Sequence, residues 1–309
     1  MSGRSGQRVV RRFPLFIVIC AVVFVALYAV VVFLYAQGGK TDEGTAIDNR
    51  TPGLHVILTP REIDAAGDRI RFDMRFGEGS DSSSLVTSDG FTVMRDFQLL
   101  LSASTAGDGA IIDFEKGRQV APTSVWLRTS GTIESWPFDR HPSETTVIVS
   151  ASSAGGTESE AIPADITLGP HHVPGWGVTI HSEVEGVVDG TTMTINKYVI
   201  ETHRATATIV FGIVLLALMV IMPVLGLTVA IMALRGKRRV EIGFFTWNAG
   251  MLFATPTLRN FLPGQPPVGS WVDYLVVLWV IAGLILSLLI SVVAWYRWGK
   301  PQPGLPVVR

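Results

Sequence analysis

A single cysteine stands in the 309 residues, Cys20, and it falls inside an uninterrupted apolar run. That scarcity excludes a disulfide framework and every zinc site built on thiolates. A domain without such staples must rest on its core. The roughly 165 residues between the first two apolar runs suffice to build one. Enzyme signatures are missing as well. There is no G-x-S-x-G elbow, no H-E-x-x-H pair, no phosphate-binding loop and no dinucleotide fingerprint. The histidines are His55, His141, His171, His172, His181 and His203. His171 and His172 are neighbours, so on extended backbone they point to opposite faces and make a poor metal clamp. The serines sit in Gly/Ser-rich turns with no base beside them. The expectation is a non-enzymatic protein without cofactor or metal and without a nucleic-acid partner.

Charge is scarce too, at 17% of residues, and it lies mostly between four long apolar runs. The first, 14–36, reads "PLFIVICAVVFVALYAVVVFLYA". As a helix it rises about 34 Å, enough to cross a hydrocarbon core of about 30 Å. It is too long for a signal-peptide core and lacks small residues at both cleavage positions, so it reads as an uncleaved anchor. The further runs are expected as transmembrane helices at 205–234, 242–258 and 272–296, the third shorter and more polar. Arg4, Arg8, Arg11 and Arg12 precede the first run; Arg235, Lys237, Arg238 and Arg239 follow the second; Arg297 and Lys300 follow the fourth. Positive charge marks the cytoplasmic side. Four alternating spans then place the tail at 1–13, the loop at 235–241 and the tail at 297–309 inside, and residues 37–204 outside. The plasma membrane is the expected location. Trp271 at one end of the last run, and Trp295, Tyr296 and Trp298 at the other, suit an interfacial belt.

Residues 37–53 are polar and read as a linker; the sequon Asn49-Arg50-Thr51 lies there. From Leu54 the period changes to two. In "RIRFDMRF" (69–76), Ile70, Phe72, Met74 and Phe76 share one face, and Arg69, Arg71, Asp73 and Arg75 the other. That is a strand with one wet face. Further strand candidates lie at 55–58, 97–104, 124–128, 145–151, 176–186 and 191–202, separated by Gly, Ser, Asp and Pro clusters. The fold class expected is therefore a membrane α-helical part with four transmembrane helices plus an extracytoplasmic all-β domain at 54–204, an antiparallel sandwich. Little chain separates the last strand from the second apolar run, which favours tight coupling between sheet and helix.

Two stretches carry candidate sites. In the third run, Glu241, Phe245, Asn248, Leu252, Thr255 and Arg259 step by four and three and share one helical face. Polar groups at membrane depth face a bundle interior or water. The stripe therefore either lines a pore or forms a polar seam between helices. Pro223 and Pro256 are expected to kink their helices, and an outer loop at 259–271 begins with Arg259, Asn260 and Pro263. The second stretch is "SWPFDRHPSE" (135–144). Consecutive Asp139, Arg140 and His141 do not converge on one substrate atom, so a turn is the better reading. Pro137 fixes its own φ and biases Trp136 toward extended backbone. Asp139 can accept backbone hydrogen bonds, and Pro142 is expected to end the turn before the next strand. Trp136, Pro137, Phe138 and Asp139 are expected at the membrane-proximal end, against the outer end of the second apolar run or the 259–271 loop.

Two resemblances arise at these residues. The basic amino-terminal anchor, the "WPFDR" turn, the "LRNFLPGQPPVG" loop and the closing "WVDYLVVLW" are similar to an uncharacterised family of mycobacterial and related actinobacterial membrane proteins, a domain of unknown function. That resemblance covers nearly the full length and implies four spans with no assigned activity. The order of parts from 54 to 296 also resembles pentameric ligand-gated ion channels: a β-sandwich, an aromatic-Pro-aromatic-Asp turn, a proline-bearing helix, a polar helix and a further helix. The chain departs from that pattern in its preceding anchor, in the missing fourth helix after the sandwich and in Pro256. The leading expectation is a β-domain that binds an envelope component, ligand or protein partner and is coupled to a helix bundle in the lipid membrane. A channel-like homo-oligomeric pore and an envelope scaffold are the alternatives.

Overall fold

A computed structural model describes residues 53–77, 85–87, 90–103, 109–152, 159–185, 195–237 and 241–298, with 22, 25–26, 28–33, 36 and 41–44. The sequon, the tail at 1–13 and most of the first apolar run lie outside the described residues. The chain forms two compact units, Met1–Thr132 with Arg140–Thr208, and Ile133–Asp139 with Ile209–Arg309.

The first unit is a β-domain. Its strands are β1 (Leu54–Asp64), β2 (Arg69–Phe76), β3 (Phe97–Ala103), β4 (Gly109–Phe114), β5 (Thr123–Arg128), β6 (Arg140–Ser152), β7 (Ser159–Ile162), β8 (Ala164–Leu168), β9 (Trp176–Glu185) and β10 (Ile195–Arg204). They make two sheets, ordered β5-β2-β1-β8 and β4-β3-β6-β10-β9, with β7 also paired to β6. The alternation in β2 settles its orientation: Ile70, Phe72, Met74 and Phe76 are buried. They join Leu54, Val56 and Leu58 of β1 and Leu99 and Leu101 of β3 in one apolar cluster shared by the two sheets. Every pairing is antiparallel except β1 with β8, which is parallel, so the all-antiparallel expectation fails there. Pro142 also lies inside β6, opposite Glu201 of β10, rather than ahead of the strand. Its carbonyl is used instead of the missing N–H, accepting from the Ser130 N–H at 2.8 Å. Asp42 pairs with His171 through two backbone hydrogen bonds of 3.0 and 3.1 Å, so part of the expected linker is fastened.

The second unit is helical: α1 (Thr206–Leu234, its first three residues counted with the β-domain), α2 (Ile242–Asn260) and α3 (Leu278–Trp298), the last preceded by a π-helical turn at Asp273–Val277. Two helical stretches among the described residues are long and apolar enough to cross a membrane, Thr206–Leu234 and Asp273–Trp298. This overturns the expectation of four transmembrane helices. In α2, Thr246, Asn248, Thr255, Thr257 and Arg259 dilute a stretch of 19 residues, so its composition does not meet the demand of lipid on a spanning helix. The chain is accordingly a membrane-associated protein with a β-rich domain.

The Trp298 indole N–H donates to the Leu234 carbonyl at 3.0 Å, so the carboxy-terminal ends of α1 and α3 meet. Both therefore run the same way, and α2 returns between their ends. Close approach comes from small residues. A Cβ on Gly226 of α1 would stand 2.9 Å from the Ser287 hydroxyl of α3, and one on Gly283 2.9 Å from the ring of Pro223. Both Pro223 and Pro256 lie within continuous helices.

Candidate functional site: an aromatic corner and a clamped loop

The chain leaves the β-domain after Thr132 and re-enters it at Arg140; the seven residues between belong with the helices. A single 3₁₀ turn, Ile133–Ser135, begins the excursion. The Trp136 N–H then donates to Ile133 O at 3.1 Å and the Phe138 N–H to Ser135 O at 3.0 Å, which closes the corner. The Trp136–Pro137 bond is cis.

Trp136 is the largest fully buried side chain among the described residues. Its ring lies with Leu262 and Val272 in one apolar cluster. A Cβ on Gly212 of α1 would come 2.5 Å from the ring, so only glycine leaves room for the indole there. The indole N–H donates to Pro263 O at 2.8 Å, as a buried Trp donor requires. Asp139 is buried, whereas Phe138 is 63% exposed.

Arg259 anchors the same loop from its other side. Its guanidinium holds Asp273 with both ends of the fork, Nε to Oδ1 at 3.0 Å and Nη2 to Oδ2 at 2.9 Å. Nη2 also donates to the carbonyls of Pro266 and Pro267 at 2.9 and 3.0 Å. Asp273 Oδ2 accepts the Gly269 N–H at 2.8 Å. Bidentate Arg–carboxylate pairs fix geometry as well as charge. Loop 261–272 is thus held at Pro263 by Trp136 and at Pro266, Pro267 and Gly269 by the Arg259–Asp273 pair.

The expected polar face of α2 divides. Asn248 and Thr255 are its buried residues. Asn248 Nδ2 donates to Ser287 Oγ of α3 at 2.9 Å, and Thr255 Oγ1 donates back to Met251 O at 3.0 Å. Leu252 packs against the cluster of Met219, Val280 and Leu284. Glu241 and Asn260 are exposed and Pro263 half-buried. Within this chain, then, Asn248, Leu252, Thr255 and Arg259 turn toward neighbouring segments of the helical unit as a polar seam. The partners Ser287 and Asp273 went unremarked in the sequence reading. Their signal was the small-polar spacing of Ser287 and Ser291 within an apolar run, and an acid placed where that run begins.

No group of three or more His, Cys, Asp or Glu suited to hold a metal occurs among the described residues.

The chain matches two family models, both described as domains of unknown function: DUF4436 over residues 45–196 and DUF8686 over residues 204–298. The junction between the matches falls in β10, beside the start of α1. No curated protein matches the chain.

Proposed function

We propose that this is a non-enzymatic integral membrane protein whose β-domain binds an envelope component, ligand or protein partner and transmits the bound state to its helices. The observation that carries the reading is the excursion at 133–139. Chain from the middle of the β-domain sequence is packed into the helical unit, with Trp136 sealed against Leu262 and Val272 and bonded to Pro263 O. A second route is the direct run of β10 into α1, with Ala205 alone between them. The Ala205 N–H and the Thr208 hydroxyl both donate to Gly175 O, at 2.9 and 3.3 Å, so that junction is fastened rather than loose. These two chain connections are the routes by which a shift in the sheets would reach the helices.

The reading places the protein in the plasma membrane with the β-domain extracytoplasmic and the termini cytoplasmic. It draws on Arg235, Lys237 and Arg297, which gather at the shared carboxy-terminal ends of α1 and α3. Binding is tested by thermal shift of the full chain in nanodiscs against fractionated envelope lipids, glycans and peptides. At least one fraction is expected to stabilise the β-domain. No shift with any of them would sink the binding half of the proposal. Transmission is tested by hydrogen exchange on the same sample: a stabilising fraction should slow exchange in loop 261–272 in the native protein, and not in Trp136→Ala.

A further inference from the structure

We infer that loop 261–272 and the tip of the aromatic corner are immersed in the lipid leaflet, as an interfacial cap on the helical unit with Phe138, Phe261 and Val268 in direct contact with lipid. Loop 261–272, "FLPGQPPVGSWV", contains no charged residue. Connecting segments that face water are polar, because their backbone must be hydrated. This one exposes apolar side chains instead: Phe261 is 67% and Val268 91% exposed, beside the corner whose Phe138 is 63% exposed.

The backbone supplies an independent argument. In lipid, every N–H and C=O without an internal partner costs several kcal/mol, so irregular chain survives there only if it satisfies itself. Of residues 261–270, three are prolines, which have no N–H to satisfy. Five more, Phe261, Leu262, Gln265, Gly269 and Ser270, donate theirs within the unit. The carbonyls of Pro263, Pro266 and Pro267 are taken by Trp136 and Arg259. The remaining two N–H groups, of Gly264 and Val268, are left to the hydrated headgroup layer, which sets this loop at the interface rather than deeper.

Depth agrees with this. At about 1.5 Å per residue, the 29 residues of α1 extend about 44 Å, some 14 Å more than a hydrocarbon core of about 30 Å. If the surplus is shared between the ends, the core begins about 7 Å in. Gly212, against which Trp136 packs, is six residues or about 9 Å from Thr206. The corner therefore reaches the boundary of the core. The loop also leads directly into Asp273–Trp298, one of the two apolar helical stretches, whose Leu275, Leu278 and Trp279 are exposed. Lipid is the occupant that covers loop and helices alike without a change of partner.

The test uses the full chain, with Cys20→Ser, in phosphatidylcholine–phosphatidylglycerol vesicles. Phe138→Cys, Phe261→Cys and Val268→Cys are each labelled with an environment-sensitive fluorophore. Phe91→Cys, an exposed apolar site in the β-domain, serves as reference. The expected result is a blue shift at the three sites relative to Phe91, with quenching by lipid-borne nitroxide and protection from iodide. Quenching by iodide but not by the lipid nitroxide would overturn the inference. So would protection from both, which would mean that protein covers the patch. Because these side chains are exposed, the substitutions should leave folding intact, which hydrogen exchange in α1 and α3 checks, and in β2 for the Phe91 variant. Failure here leaves the proposed transmission through Trp136 standing, since that concerns the buried side of the corner.

Discussion

The β-domain and the helical unit are built on opposite rules. The β-domain puts its large apolar side chains inside, with Phe72, Leu99, Leu101 and Leu127 fully buried, and turns Arg and Asp outward. The helical unit turns Phe253, Leu275, Leu289 and Val293 outward and seals Asn248, Thr255, Ser287 and Ser291 within. In water, burial of apolar area holds a fold together. In lipid that drive between helices is absent, and close approach of small residues with hydrogen bonds replaces it. The inversion shows that the same chain was written for two solvents, with the change at Ala205.

The comparison is broken most sharply by matched truncations. Phe72→Ala in β2 removes a fully buried ring and should cost about 3–5 kcal/mol. Leu289→Ala in α3 removes a side chain that is 55% exposed and should change little in a membrane mimic. Hydrogen exchange of the full chain in nanodiscs reads both, through protection of β2 and of α3. Equal losses would mean that the outward face of α3 is covered by protein.

Ion pairs give the next contrast. Arg61 and Asp73 meet at 2.6 Å on the β-domain surface, with the Arg61 side chain 48% exposed. Arg259 and Asp273 meet at 2.9 Å with side chains 12% and 19% exposed. Exposed pairs are worth about 0–1 kcal/mol, whereas breaking a buried one costs about 3–5. Arg259→Ala should fall between these, at about 2 kcal/mol, and should also free the carbonyls of Pro266 and Pro267. Denaturant resistance of the helical unit in detergent measures it. Arg259→Lys should not restore the native value, because a single ammonium cannot span both carboxylate oxygens and two carbonyls. Full rescue by lysine would show that charge alone matters there.

How much of this was legible in the sequence depends on which rule wrote each segment. The strand at 69–76 was plain because one face is wet and the period is therefore two. β4, β7 and β8 escaped notice: they are four to six residues long, and β8, paired in parallel with β1, shows no alternation in "ADITL". Pro142 was misplaced because a proline usually stops a strand, and only its pairing to Glu201 reveals that it does not. The count of spanning helices failed on α2. Run length was visible, but the burial of Asn248 and Thr255, on which a helix of that composition depends, is a tertiary fact. The Trp136 corner could be picked out by its unusual residues, whereas its membership of the helical unit rests on Pro263 and Gly212, more than 70 residues further along the chain.

A smaller effect sharpens the seam. Asn248 donates to Ser287 across α2 and α3 at 2.9 Å. Interhelical hydrogen bonds of this kind average about 0.6 kcal/mol in membranes. Asn248→Leu should therefore lower detergent resistance by about that amount, and Asn248→Leu with Ser287→Ala should cost no more than the larger single loss. Strict additivity would show that the two side chains act independently.

The smallest expected effect is confined to the β-domain and to acid. The Ser124 hydroxyl, followed by the Arg61 guanidinium, holds the Asp73 carboxyl below its usual range. The Gly67 N–H and the Arg69 guanidinium do the same for Asp64 at the end of β1. A carboxyl whose folded pKa is depressed contributes stability that is fully present above its unfolded pKa, about 3.9, and that is lost as pH falls through the lower folded value. The β-domain should therefore weaken below about pH 4 in part through these two groups. Asp73→Asn cannot titrate, so its stability deficit against the native protein should be constant from neutrality down to about pH 4 and should shrink below that. Both carboxyls are partly exposed and pair with arginines about half exposed, so the change is a modest one. Exchange protection of β2 in full chain reconstituted in nanodiscs, followed from neutral to acid pH, measures it. A deficit that stays constant through the acid range would show that Asp73 is not held low by its neighbours. Asn248 and Ser287 carry no charge at any pH in this range, so the bond between them should show no step of its own over the same interval.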